Sequence, residues 1–254
     1  MGMGPLVLIW DGSAVIWCTN TRSGEVGRRA ISQPEMIQEV LKALRNQVGA
    51  GLSVFVGEWG SSATVMPAGM FQDNGSVESI KPWFELHHGS IGSGHALQIH
   101  HLEDMPGTPC LAIDGSHAWM SAAESVFPQC RKIPMVRALV HDAIQWNRRK
   151  QIEGWIIRVD VRNHGAVFVA THGESLMWVH HLGEGLTADD CLYVMVNAVH
   201  RSGLGVEDCQ VIWTGLPELV DGWGRFFQVN AMLSEHGGGS ETWRPLLQSL
   251  AECA

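Results

Sequence analysis

One order of strands, turns and caps occurs twice in this chain, and it limits the possible folds more than any single motif does. Leu6 to Trp10 is an apolar run with strand character. Asp11-Gly12 is a strong hairpin turn, because both residues tolerate positive φ. Ala14 to Thr19 returns as a second strand, Asn20 to Gly24 turns again, and Glu25 to Ile31 is a third, more polar strand. Ser32 and Glu35 then predict a capping box, with Pro34 in the first helical turn. Met36, Ile37, Val40, Leu41, Leu44 and Val48 recur at helical spacing. Gly49 and Gly51 stop the helix, and Leu52 to Val56 is a short buried strand.

The same order returns at Trp155. Strands are predicted over Trp155 to Val161, Ala166 to Thr171 and Leu176 to Leu182, with turns at Arg162 to Gly165 and His172-Gly173. Thr187 and Asp190 predict a capping box. Leu192, Met195, Val196 and Val199 supply the apolar stripe, Gly203 and Gly205 the stop, and Gln210 to Trp213 the closing strand. A three-strand meander, a crossover helix and a parallel fourth strand form the core of a ribonuclease-H-like unit. Two units in tandem define the actin-like architecture. The expected fold is therefore α/β and actin-like, with two tandem ribonuclease-H-like βββαβ units. The first half spans 1–152 and includes a variable insertion; the second spans 153–254, with Gly154 at the hinge.

Between the copies, Gln72 to Met105 is rich in Gly, Ser and His and predicts loops around a strand at Ala96 to Leu102. Cys110 to Ile113 predicts a strand, Ser116 the cap of a helix ending at Val126, and Met135 to Arg149 a further helix. Beyond Trp213 the expectations are a helix from Pro217, a strand at Phe226 to Val229, a flexible Gly237-Gly238-Gly239 and a short helix from Thr242 to Cys253.

Composition narrows the functions. Net charge is −9, and the densest basic run, Arg148-Arg149-Lys150, ends a predicted helix, where cations suit the dipole. A nucleic-acid partner is therefore not expected. The 11 Trp sit mostly in apolar runs and are expected to fill core or interface. The 6 Cys are scattered without a Cys-x-x-Cys pair, and Met1 to Trp10 lacks the basic start of a secretory signal. Reduced thiols in a cytoplasmic protein are expected, with no membrane span.

Particular residues resemble a known family. Ala63-Thr64-Val65-Met66-Pro67-Ala68-Gly69-Met70-Phe71 is similar to its Thr-Leu-Val-Pro stretch followed by Phe. Phe127-Pro128 resembles its Phe-Pro step. Asp189-Asp190-Cys191-Leu192-Tyr193 resembles its acidic-Asp-x-Leu-Tyr motif, and Gly215 stands where its closing strand ends. The family is an uncharacterised bacterial one, catalogued as domain of unknown function 3822, with an actin-like ATPase fold. Val194 replaces a common second Tyr, and no His follows Phe127-Pro128 closely. The resemblance brings no catalytic residues.

Active actin-like ATPases hold nucleotide phosphates and a metal between two hairpins, one per half. Backbone N–H groups cradle the phosphates, and a carboxylate positions Mg²⁺ through water. The matching positions here are Asp11, Gly12 and Ser13 in the first half, Asp160 and Gly165 in the second, and Gly215 at the adenosine side. All depart from the active pattern. Asp11-Gly12-Ser13 lacks a spacer, Gly165 is far from Asp160, and Gly215 lacks a second Gly. The expected function is a non-catalytic scaffold or binding module with a degenerate nucleotide cleft, no bound cofactor and an unidentified protein partner.

Two other readings stay open. One is an ATP- and Mg-binding enzyme or switch. The other is a metal-dependent nuclease built on Asp11, Glu39 and Glu58. The pairs His87-His88, His100-His101 and His180-His181, with His95, read as solvated loop histidines, because neighbours on a strand face opposite ways. No metal site is expected.

Overall fold

A computed structural model describes residues 4–19, 24–49, 51–66, 76–151, 154–232 and 239–253. The Asn20 to Gly24 turn (apart from Gly24), the Pro67 to Phe71 part of the family-like stretch, and Gly237-Gly238 lie outside the described residues.

The first unit runs β1 (Leu6–Trp10), β2 (Ala14–Cys18), β3 (Val26–Ala30), α1 (Glu35–Val48) and β4 (Val54–Glu58). There follow β5 (Ala63–Met66), α2 (Val77–His88), β6 (His95–His101), β7 (Cys110–Ser116), α3 (His117–Val126), β8 (Arg131–Lys132) and α4 (Met135–Lys150). The second unit runs β9 (Trp155–Arg162), β10 (Gly165–His172), β11 (Ser175–Leu182), α5 (Ala188–Arg201), β12 (Cys209–Gly215), β13 (Gln228–Ala231) and α6 (Arg244–Glu252).

The two large sheets share one topology. Their strand orders are β3-β2-β1-β4-β8 and β11-β10-β9-β12-β13. In each, the first three strands meander antiparallel, and the fourth and fifth run parallel to the first. The chain thus has two ribonuclease-H-like units. A third sheet, β5-β7-β6, is inserted between β4 and β8. In the second unit, short 3-10 turns at Pro217–Leu219 and Trp223–Arg225 make the corresponding link. The helix expected from Pro217 is only such a turn; Gly222, at φ 83°, breaks any continuation.

Local chemistry explains the helix starts. Thr187 accepts the Asp190 N–H at 3.2 Å while Asp190 accepts the Thr187 N–H at 2.9 Å, so this capping box forms. The one expected at Ser32 does not. Pro34 is already helical, the first turn closes from Met36 N–H to Gln33 O, and the Ser32 hydroxyl turns to the Met36 sulfur. The insertion is more ordered than its composition predicts. Gln72 to Met105 contains α2, anchored by Ile80 and Phe84, and β6, which carries His95, His100 and His101. Those three histidines sit on a strand and not on loops.

Each large sheet buries both faces. The outer face of the first packs Leu6, Leu8 and Val15 on α1 and α3; that of the second packs Ile157, Val159 and Val161 on Cys191, Met195 and Val199 of α5. The inner faces meet through α4 and α6. Helix α4 lies on β9 and β10, α6 lies on β1, β2 and β4, and the two helices pack together. Apolar residues of both inner faces, including Ile9, Val136, Val167 and Leu247, form one cluster. The inner face of each sheet is therefore covered by a helix of the other unit. Of the Trp, Trp59, Trp119, Trp213, Trp223 and Trp243 are buried, while Trp83 is exposed. Among the described residues, no helix is long and apolar enough to cross a membrane.

Within this layer Arg158 of β9, fully buried, donates Nε to Asp142 of α4 at 2.9 Å. Ser249 of α6 also donates to Asp142. Removing one charge strands the other, whereas removing both does not. Asp142→Asn should cost about 3–5 kcal/mol in urea denaturation, and Asp142→Leu with Arg158→Met should recover most of that loss.

Candidate functional site

The turns that follow β1 and β9 meet through Ser13 and His164, and Asp160 of β9 lies buried against Thr214 of β12; the region between these turns is the crevice. In the first hairpin, Asp11 is buried and folds its carboxylate back over the turn. Its Oδ1 accepts the backbone N–H of Ser13 at 2.8 Å and of Ala14 at 2.6 Å, and the Ser13 hydroxyl at 3.0 Å. Arg28 faces Oδ2 at 3.4 Å. Amide groups turned inward in this way make a nest for an anion. Here the anion is the protein's own carboxylate.

The second hairpin touches the first. His164 Nε2 lies 3.2 Å from Ser13 Oγ, and His164 Nδ1 lies 3.2 Å from Glu184 Oε1. Beneath this contact Asp160 is fully buried and surrounded by donors. Arg162 grips it with Nε to Oδ1 at 2.7 Å and Nη2 to Oδ2 at 2.8 Å. The Trp59 indole donates to Oδ1 at 2.7 Å, and the Thr214 hydroxyl donates to Oδ2. Burial alone would raise this carboxyl, but the Arg162 guanidinium, with Arg158 and Thr214, outweighs it and holds Asp160 below the usual carboxylate range.

Arg162 is itself pinned. It stacks 3.9 Å from the Trp243 ring centroid and donates to Thr242 Oγ1 and to the Thr242 carbonyl, each at 3.1 Å. Trp59 meets Trp243 edge-on at 6.3 Å. The 3-10 turn Gly239–Trp243 contacts both β3 and β12, so it lies across the crevice. Residues of the second unit, among them Arg162, Asn163, Gly165 and Leu216, border a cavity of about 190 Å³. Ligand pockets usually enclose about 300–1,000 Å³.

The remaining three expected residues are glycines, of which Gly12, at φ 89°, turns the first hairpin. Gly215 sits at φ 107°, where a Cβ would lie 1.8 Å from the Val161 carbonyl oxygen. Gly165 sits at φ 135°, where a Cβ would lie 2.0 Å from the Leu182 carbonyl oxygen. Each is needed for strands to approach at the crevice rim.

The residues that fill the crevice, Trp59, Arg162, His164, Thr214 and Trp243, escaped the sequence reading. One signal existed. Arg158, Asp160 and Arg162 alternate along an otherwise apolar strand, which puts three charges on one face. Trp59 and Trp243 carry no comparable signal.

Other constellations do not assemble. Glu39 is exposed on α1, Asp11 is committed to its turn, and Glu58 accepts the Ser116 N–H at 2.9 Å. Among the described residues, no three His, Cys, Asp or Glu side chains are placed to hold a metal ion. Cys110 approaches His101 Nδ1 at 3.1 Å, but the residue is fully buried, and burial pushes the thiol up, away from thiolate. A separate cavity of about 460 Å³ at the far end of β4 is bordered by Arg45, Phe55, Phe127 and Arg131.

No family model matches the chain, and no curated protein sequence matches it. Solved structures do. A protein from Bacteroides thetaiotaomicron VPI-5482, with an actin-like ATPase fold and unknown function, superposes with a TM-score of 0.70 at 12% identity over 90% of each chain. A chain of a PilM–PilN type IV pilus biogenesis complex superposes with a TM-score of 0.60 at 10% identity, over 98% of this chain and 97% of that one. The fold is actin-like. At such identities the likeness extends to the fold alone.

Gly215→Ala should lose at least about 2 kcal/mol of unfolding free energy in urea. Gly173→Ala, at φ 58° with open space around it, should lose only about 1 kcal/mol.

Proposed function

We propose that this chain is a non-catalytic, cytoplasmic scaffold or binding module, a pseudo-ATPase with a degenerate nucleotide cleft between halves 1–152 and 153–254. The two halves are taken as copies of one duplicated unit, and membership of the uncharacterised bacterial family named above is part of the same reading. The carrying observation is that Asp160, one of the two carboxylates at the expected hairpins, is gripped by Arg162. The guanidinium supplies the positive charge that a divalent cation would bring. Asp11 supplies the negative charge that a phosphate would bring to the hairpin amides.

The magnitude favours exclusion. Breaking a buried ion pair costs about 3–5 kcal/mol, which is roughly a hundredfold to several-thousandfold loss in the affinity of any competitor. The partner is proposed to be a protein. Trp83 and Leu86 are exposed on α2, and the PilM–PilN structure shows that a chain of this fold can enter a complex.

The test is a thermal-shift titration. Millimolar ATP with Mg²⁺ should move the melting temperature by less than about 1 °C. A rise of several degrees that disappears in Asp11→Ala would establish the rival reading, an ATP-binding enzyme or switch.

A further inference from the structure

Glu58, the last residue of β4, sits one position before the Trp59 that holds Asp160. Both of its carboxylate oxygens accept the Ser116 N–H, at 3.1 and 2.9 Å. Ser116 ends β7 and caps α3, accepting the Trp119 N–H at 3.3 Å. The Trp119 indole returns to the Gly57 carbonyl at 3.2 Å. Glu58 therefore ties the first sheet to the inserted sheet and to α3.

Beside it lies a cavity of about 30 Å³, bordered by Glu58, Ser61, Gln98, His100 and Lys132. One water needs about 10–15 Å³ measured this way, so about two fit. Ser61 Oγ is buried there without a well-formed hydrogen bond. The charged and titratable groups around Glu58 come from every neighbouring strand. His95 of β6 and Asp114 of β7 pair with each other at 3.0 Å, His100 of β6 borders the cavity, and Lys132 of β8 pairs with Glu124 of α3.

These surroundings oppose one another. Burial penalises the ionised carboxyl. The Ser116 N–H at a helix N-terminus, His95 and Ser61 favour ionisation, and Asp114 disfavours it. Burial wins, and Glu58 is pushed from its ordinary 4.5 up to about 7.

We propose that Glu58 is a proton-operated brace: neutral, it donates its O–H to water in the cavity, and ionised, it becomes acceptor-only and takes the Ser61 hydroxyl, with the change passed to the crevice through Trp59. The brace does not depend on whether the crevice takes a nucleotide. A carboxyl raised in the folded state stabilises fully below its ordinary value of 4.5 and loses that contribution as pH rises through about 7.

The experiment follows urea stability and the Trp59 indole N–H resonance by NMR across this window, in wild type and in Glu58→Gln. In wild type the folding equilibrium constant should fall by up to about three-hundredfold, other titrations aside, and the Trp59 resonance should titrate with a midpoint near 7. Glu58→Gln, which mimics the neutral form, should flatten both responses and be at least as stable as wild type on the alkaline side. A flat wild-type resonance, or one that titrates equally in Glu58→Gln, overturns the proposal. If Glu58→Gln does not fold, Ser61→Ala reads the same linkage: losing the hydroxyl should move the midpoint upward, and an unmoved midpoint overturns it.

Discussion

The Asp160–Arg162 pair is the interaction on which the crevice is built. Both residues belong to β9, two positions apart on its inner face, so strand geometry alone puts them side by side. A carboxylate with no exposed surface is stable only if its charge is met and its lone pairs are filled. Arg162 meets the charge, while Trp59 and Thr214 fill what remains. Trp59 arrives from the first unit and Thr214 from the second. One buried charge therefore recruits donors from both units.

The comparison of β1 with β9 shows how one topology carries two kinds of inner face. Along β1 the inward residues Val7 and Ile9 are apolar and join the shared core. The equivalent face of β9 carries Arg158, Asp160 and Arg162, all buried. Apolar contact between the inner layers is non-directional and would tolerate sliding. Paired charges are directional and would be left unsatisfied by it. The swapped packing of α4 and α6 provides the burial, and the β9 stripe sets the register.

The strands were legible because their signals are local. Leu6 to Trp10 is recovered to the residue, and β9 to β11 within one or two, since alternation and turn residues act over a few positions. Thr187 worked as a cap because its backbone is extended; Pro34, already helical, removed that option from Ser32. Helix α2 was missed because only Ile80 and Phe84 of its turns are buried, and Pro82 lies inside it. The turns on either side of the crevice, with Asp11, Gly12, Ser13 and Gly165, were legible. The filling of the crevice was not, because Arg162 meets Thr242 and Trp243 across about eighty positions, and no spacing rule reaches so far.

On the proposed reading of a degenerate cleft, the contents of the crevice bear on how such a site could lose one ligand without losing its fold. An open phosphate nest above a bare buried carboxylate is poorly satisfied unless a ligand is present. Here each unsatisfied group has an internal partner: Asp11 lies on the hairpin amides, Arg162 on Asp160, and Ser13 against His164. The inserted carboxylate and guanidinium have opposite signs, so the exchange leaves the local charge balanced. Under the proposed reading, the chain itself holds the stability that a bound nucleotide and metal would bring, and the surfaces of the inserted sheet and α2 are left to carry any partner.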